Sequence, residues 1–404
     1  MLKWCKEINY DFLTKYVLFI INPFFGFFYA LKRLNTKSSY TILFLFCLLF
    51  GISFTPSDNY AGDGKHYIER FNNFRSFSEN IYYDELNQFL EFDEGKKDFY
   101  VETVSFYLGK LTDNYRYVFF IFAFVFTFFM LKSLRYFTSQ SNYKLNSYVI
   151  ILLYIFTINQ IFNINGVRFW TAAWIANYLI FLIILENKKV YYPLIFILPF
   201  FHGSYWVFIA LIVIFQFLRR LDSLNKILFI VSLFVSSLAL ELAKTNIDLL
   251  PGFLKKSFQF YIDDNYIKER NEVGIGFSSI AKFFNNFLVY IINVLIIFLI
   301  KIADIIKKNS QNYNLFMFLL VFGAFTNFTM IIPSVGNRFF MLLYPIIAYL
   351  WLYYLYDIKY RKVLYLFPIL YIFQFKELID NYIDVTGIYF YISSPFYIIY
   401  EYLL

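Results

Sequence analysis

Two arginines stand apart from the other basic residues of the chain. Arg168 and Arg338 each follow a short polar segment and each opens an apolar stretch. A guanidinium stays charged at any accessible pH and binds phosphate oxygens through paired N–H groups. The two residues therefore predict a site that holds a diphosphate and stabilises its charge as it leaves. An arginine at a helix end can also extend to lipid headgroups, and this alternative remains open for each of them.

Three other residues are candidates for moving a proton. His202, Asp63 and Glu102 are side chains that accept protons from hydroxyl groups in enzymes, so any of them could be the general base for an attacking sugar hydroxyl. Asp58 and Tyr67 are expected to line the same site. Alternatives remain here too: His202 could be a helix-packing hydrogen bond, and the acidic residues could be solvated surface.

Composition determines what kind of molecule positions these residues. The 404 residues are 60% hydrophobic and 25% aromatic, only 16% are charged, and their mean hydropathy is +0.56. Such a chain cannot cover itself with a polar surface in water, whereas a lipid bilayer suits it. Cys5 and Cys47 have no metal-ligand spacing, and two histidines are too few for a multi-histidine metal site. The scheme therefore uses neither metal nor cofactor.

Apolar runs of membrane-spanning length predict an all-α, polytopic membrane protein with a single transmembrane domain over residues 1–404. We expect about 11 to 13 transmembrane or re-entrant helices. Two of these helices form a hairpin that turns at His202, and the N-terminal apolar run is broken at Asn22-Pro23. The other runs are Tyr40–Thr55, Tyr115–Leu131, Asn146–Phe162, Arg168–Leu185, Asn225–Ala243, Phe277–Ile300, Asn312–Ile332, Phe339–Tyr356 and Val363–Phe375.

Charge distribution predicts the orientation of the chain. When the spans are threaded in order, the short loops on one side carry an excess of lysine and arginine, and the opposite side is net acidic. The positive-inside rule places the basic side in the cytoplasm. The net charge of +8 therefore orients the protein and does not indicate nucleic-acid binding. All of the candidate site residues then fall on the outer side.

Two outer loops are long enough to contain structure. The first covers about residues 57–114, and its segment from Asp63 to Phe77 places Tyr67, Phe71 and Phe74 on one helical face. The second covers about residues 245–276 and is also rich in aromatic and charged residues. Short amphipathic helices in these loops are expected to lie over a lipid-borne substrate.

These residues, in this order, resemble the EpsG-like branch of the Wzy polysaccharide polymerases. Asp63, Tyr67 and Phe71 at four-residue spacing resemble the family's Asp…Tyr…Phe motif, and Glu102 lies where a glutamate is often found. Val167-Arg168 is similar to its Ile-Arg-Gln helix start.

Two further places continue the resemblance, which covers about residues 55–345. Phe201-His202-Gly203-Ser204 is similar to the family's Phe-His-x-Ser signature, and Arg338 to the arginine of its late Arg-x-x-x-Tyr segment. Two departures occur. Phe169 stands where glutamine is usual, and Tyr344 lies further from Arg338 than the family's tyrosine.

The resemblance implies a metal-independent glycosyltransferase of the cytoplasmic (inner) membrane, whose site faces the periplasm or exterior. It implies that undecaprenyl-diphosphate-linked glycans are both donor and acceptor, and that the product is O-antigen, capsule or exopolysaccharide. A chain-length regulator is a possible partner. Two rivals remain: an O-antigen ligase with a similar outer site, and a lipid-linked oligosaccharide flippase. A flippase is expected to carry polar residues along the midplane of several spans and to show related halves, and neither pattern occurs in the sequence.

Overall fold

The computed structural model describes residues 4–56, 63–92, 97–249, 252–273, 279–332, 335–356 and 359–403. Every regular element in these ranges is helical, and none of the residues they contain forms a β-strand, which confirms the predicted all-α class.

The first part of the chain forms α1 (Asn9–Ile21), α2 (Pro23–Leu31), α3 (Lys37–Ser53), α4 (Gly64–Arg75), α5 (Glu79–Leu90), α6 (Tyr100–Gly109) and α7 (Arg116–Thr138). The middle part forms α8 (Ser147–Phe156), α9 (Val167–Ile180), α10 (Leu198–Phe201), α11 (Tyr205–Leu218), α12 (Asp222–Ser232), α13 (Ser236–Thr245), α14 (Gly252–Tyr261) and α15 (Asp264–Val273). The last part forms α16 (Ser279–Lys301), α17 (Ala303–Lys307), α18 (Ser310–Phe328), α19 (Gly336–Phe340), α20 (Leu343–Tyr354), α21 (Phe367–Thr386), α22 (Tyr389–Ile392) and α23 (Pro395–Leu403). Shorter 3-10 segments lie at Ile161–Gly166, Lys189–Ile197, Ile247–Leu249 and Lys359–Leu366, and a π-helical turn lies at Phe181–Leu185.

Apolar helices dominate this set. Within the described residues, two helical segments are long and apolar enough to cross a membrane, Arg116–Thr138 and Ser147–Leu185. Shorter apolar helices are Lys37–Ser53, Lys189–Phe201, Tyr205–Leu218 and Phe287–Lys301.

Both predicted helix breaks are present. Helix α1 ends at Ile21, and α2 begins at Pro23 after Asn22, whose side-chain Oδ1 accepts hydrogen bonds from the backbone N–H groups of the next helix. The second break lies at His202, between the end of α10 and the start of α11. At the first break, Asn22 and Pro23 favour a helix start. The amide oxygen of Asn22 accepts from otherwise unpaired backbone N–H groups of the first turn, and Pro23 has no N–H that would be left unpaired there.

Several of the predicted runs do not form single α-helices; for example, Phe339–Tyr356 is divided between α19 and α20. The run Asn146–Phe162 stops being α-helical after Phe156, because Asn159 turns the chain by donating from its side chain to the carbonyl oxygen of Trp170, at 2.9 Å. The run Asn225–Ala243 is divided between α12 and α13. Here α12 ends at Ser232, whose hydroxyl donates to the carbonyl oxygen of Phe229 and so competes with the backbone ladder.

The core includes the contact of α3, α7 and α9, and it contains many large aromatic side chains, of which the two buried tryptophans Trp174 and Trp351 have their ring nitrogens paired. Trp174 is fully buried and donates from its ring nitrogen to the carbonyl oxygen of Asn159 at 3.1 Å. Trp351 is also fully buried and donates to the carbonyl oxygen of Leu295 at 3.1 Å. These bonds fix the rings in place, since an unpaired ring N–H in an apolar core is costly.

A reciprocal amide pair connects α16 to α18. Asn293 and Asn327 are buried, and each donates to the other's side-chain oxygen at 2.9 Å. Interhelical hydrogen bonds of this kind join apolar helices whose remaining contacts are only packing.

We expect Asn293→Leu to lower the free energy of unfolding by about 1 kcal/mol, because it leaves the amide of Asn327 without its partner. The double variant Asn293→Leu/Asn327→Leu should recover most of this loss. Thermal unfolding of the purified variants in one detergent measures both effects. A double variant less stable than the single variant would contradict this account of the pair.

Candidate functional site

The segment that the sequence predicts to be the first outer loop is docked next to the start of α9 through Gly64. The backbone N–H of Gly64 donates to Oδ1 of Asn165 at 3.1 Å, and a side chain at position 64 would overlap the same oxygen. This close approach places Asp63, the residue before α4, against the first turn of α9. Tyr67, Phe71 and Phe74 share one face of α4 as predicted, and the structure shows that this face is buried within the protein.

The hairpin turn is docked onto the same loop through Gly203. A Cβ at Gly203 would lie 2.7 Å from the carbonyl oxygen of Lys97, and the backbone N–H of Phe99 donates to the carbonyl oxygen of Phe200 at 2.9 Å. The residues before α6 therefore lie between the hairpin and α9. This arrangement brings a residue not predicted from the sequence, Asp98, into the site.

Arg168 is the centre of the site. Its Nη2 lies 3.0 Å from Oδ2 of Asp63, and its Nη1 lies 3.3 Å from Oδ1 of Asp98. Tyr67 donates its hydroxyl to the same Asp63 oxygen at 3.1 Å. One guanidinium thus joins α4, the residues before α6 and the start of α9. Both terminal nitrogens of Arg168 are engaged by carboxylates.

The two carboxylates differ in their surroundings. The side chain of Asp98 is 7% exposed, and burial raises its pKa although Arg168 opposes the rise. The side chain of Asp63 is 45% exposed; burial is here outweighed by Arg168, Tyr67 and Arg338, which together hold its pKa below the usual value. Asp63 is therefore the carboxylate that is both ionised and open to a ligand.

Glu102 lies deeper than the sequence suggested. It is buried in the first turn of α6, forms an ion pair with Arg70 of α4, and has its other carboxylate oxygen enclosed with no hydrogen-bond partner in the described part of the chain. Burial raises the pKa of Glu102, and Arg70 opposes the rise. The geometry fits a group that positions α4 against α6, and it leaves Glu102 without access to a ligand.

Phe169 contacts both of the remaining predicted residues, His202 and Arg338. Its ring packs edge-on with that of His202, at 5.4 Å between centroids, and the guanidinium carbon of Arg338 lies 5.6 Å from its centre. The charge of Arg338 is close enough to lower the pKa of both Asp63 and His202. Among the described residues Arg338 has no carboxylate or hydrogen-bond partner, and its side chain is partly exposed. Arg338 is thus the guanidinium that is open to an anion.

Comparison with known proteins identifies the family. The model of the EpsG family matches residues 39–393, which contain every site residue described above. The chain belongs to the EpsG family. No curated protein and no solved structure matches it. The family and the two long apolar segments indicate a membrane protein of polysaccharide biosynthesis.

The candidate site brings together most of the residues that the sequence predicted. Asp63, Tyr67 and Arg168 are in direct contact, and His202 and Arg338 each contact Phe169. Asp58 lies outside the described residues. Sequence reasoning missed the ion-pairing residues Asp98 and Arg70, because both occur among many charged residues of the first outer loop and look like solvated surface.

We expect Arg168→Leu to destabilise this EpsG-family protein by roughly 3 kcal/mol, because it leaves the buried Asp98 carboxylate without a counter-charge. The double variant Arg168→Leu/Asp98→Leu should regain most of that loss. Unfolding of the purified variants in detergent, followed by tryptophan fluorescence, measures the difference. If Arg168→Leu alone is as stable as the wild type, Arg168 does not hold the loop as described.

Proposed function

We propose that this chain polymerises oligosaccharide repeat units carried on undecaprenyl diphosphate at the outer face of the cytoplasmic membrane. The growing glycan is transferred from its lipid diphosphate to a sugar hydroxyl of the incoming unit. Family membership supports the class of reaction. The observation that carries the proposal is a partly exposed Arg338 without a carboxylate partner in the described residues, within electrostatic reach of the open carboxylate of Asp63.

The two arginines have different tasks in this proposal. Arg338 binds a diphosphate oxygen and stabilises the negative charge that grows as the lipid diphosphate departs. Arg168 is already held by two carboxylates, so it orients Asp63 and contributes its charge at longer range. A site at headgroup depth strengthens both effects, because water is scarce there.

The reaction is a substitution at the anomeric carbon of the donor glycan. The bond from this carbon to the diphosphate oxygen breaks, and its electron pair leaves with the lipid diphosphate. The hydroxyl oxygen of the acceptor sugar forms the new bond to the same carbon, and its proton passes to a base. Asp63 and His202 both border the open part of the site, whereas Glu102 is enclosed. The scheme uses no metal ion.

The proposed orientation follows from the charges of the short loops, which place the site outside. All polar site residues lie at helix starts or in the first outer loop, at one end of the apolar helices. A substrate that spans the headgroup region reaches such a site without leaving the membrane. The chain is thus proposed to be multi-pass, with lipid-linked glycans as its partners.

We expect Arg338→Ala to slow polymerisation by about 100-fold or more, since removing one donor to a developing oxyanion has this cost. Arg338→Lys should retain part of the activity, because an ammonium supplies the charge but not the paired donors. The measurement is the polysaccharide ladder of a host strain that lacks the gene and carries each variant, with membrane abundance checked by blot.

Arg220→Ala is the matched control, because Arg220 is exposed and lies just past the end of α11, opposite the end that begins at the site and at the end of the hairpin that we place in the cytoplasm. The proposal predicts single repeat units in the strain without the gene, and long chains with wild type and Arg220→Ala. Accumulation of full-length polymer still on its lipid would indicate a ligase instead. An unchanged ladder in every strain would refute polymerisation and favour transport.

A further inference from the structure

His202 lies between α10, which ends at Phe201, and the turn that leads into α11. Its backbone is extended, with φ −158° and ψ 122°, and helix α11 begins three residues later at Tyr205. The backbone N–H of Ser204 donates to Nδ1 of His202 at 3.2 Å, and the hydroxyl oxygen of Ser204 lies 2.8 Å from the same nitrogen. The imidazole therefore accepts a hydrogen bond within the turn that leads into α11.

This contact determines which ring nitrogen carries the proton. A backbone N–H can only donate, so Nδ1 must present its lone pair to Ser204. In a neutral imidazole one nitrogen accepts and the other donates, and the proton is then on Nε2. The Nε2 atom has no partner among the described residues, and it is not one of their enclosed unpaired atoms. It is therefore free to donate into the open site.

The charges around His202 keep the ring neutral. The charged groups that act on it are cationic: Arg168 at the start of α9, Arg338 in α19 and Lys97 before α6. The N-terminus of α11 adds a further partial positive charge. Burial and these cations together hold the pKa of His202 well below its usual value. Protonation would also break this hydrogen bond, because an imidazolium has no lone pair left for Ser204.

We infer that His202 acts as a neutral hydrogen-bond donor, through its Nε2–H, to an oxygen of the bound lipid-linked glycan, and that Asp63 is the base. This inference rests on the proposed function and specifies the roles at its site. It differs from a mechanism in which the histidine takes the proton of the attacking hydroxyl, because the lone pair needed for that step is already used by Ser204.

Asp63 is placed for the role of base. Its Oδ2 accepts from Tyr67 and Arg168, while Oδ1 has no hydrogen-bond partner among the described residues. The proton of the acceptor hydroxyl passes to Asp63 Oδ1 as the hydroxyl oxygen bonds to the anomeric carbon. Arg168 does not lose its counter-charge in this step, because Asp98 still holds its other nitrogen. Asp63 can therefore become neutral while the positive charge of Arg168 stays paired with Asp98.

Nitrogen-15 NMR of the histidine side chains tests the ring state without any reference to activity. The chain has two histidines, His66 and His202, so the variant His66→Gln gives a sample with one labelled ring. His66 lies exposed on α4 and contacts Glu69, away from the site. We expect a protonated Nε2 and an unprotonated Nδ1 in the full chain in detergent micelles or nanodiscs.

The neutral signals should persist as the pH falls below 6.5, where an ordinary histidine gains its proton. The unfolded chain binds that proton and the folded chain does not, so the folded state should lose stability as the pH falls through this range. A protonated Nδ1, or an imidazolium signal at neutral pH, would overturn the inference. Because no substrate is involved, this result is independent of whether the chain polymerises glycans.

The activity of matched variants tests the division of roles. His202→Gln supplies an amide N–H near the position of Nε2 but no basic nitrogen, so polymerisation should stay within about tenfold of wild type. His202→Glu supplies a base and no donor, and Asp63→Asn removes the proposed base; both should lose about 100-fold or more. The inference fails if His202→Glu is more active than His202→Gln, or if Asp63→Asn keeps wild-type activity at equal membrane abundance.

Discussion

The site depends on one guanidinium that holds two carboxylates. Arg168 joins Asp63 before α4 to Asp98 before α6, and both lie against the first turn of α9. Without this bridge the buried carboxylate of Asp98 would have no counter-charge beside an apolar bundle. That cost would oppose the packing of the aromatic face of α4. The bridge therefore decides where α4 lies, and with it where the open carboxylate points.

The second organising residue is apolar. Phe169 contacts both His202 and Arg338, and its carbonyl oxygen accepts a hydrogen bond from the buried Tyr205 of α11 at 3.0 Å. The glutamine that the sequence resemblance implies at this position would offer a polar group to these neighbours. In this chain Arg338 meets an aromatic ring instead, which attracts the guanidinium without neutralising it. Arg338 thus stays available to an anion while remaining close to Asp63.

Much of this could be predicted from the sequence, for identifiable reasons. Apolar runs and Asn-Pro or His-Gly-Ser breaks are local signals, so the all-α class and the hairpin at His202 followed directly. Ion-pair partners are not local: Asp98 and Arg70 look like solvated charges until the fold brings them to Arg168 and Glu102. The same contacts explain why Glu102, predicted as a possible base, is enclosed, and why Arg168 is occupied rather than free to clamp a phosphate.

The proposed polymerisation requires that this chain alone extend a glycan at the expense of a lipid diphosphate. The most direct measurement incubates the purified protein in lipid vesicles with the host's repeat unit on undecaprenyl diphosphate, and follows both glycan length and released lipid diphosphate. We expect chains of several units, with one lipid diphosphate released for each linkage formed. Lipid-linked units that cross the vesicle membrane unchanged, or that release no diphosphate, would contradict the account.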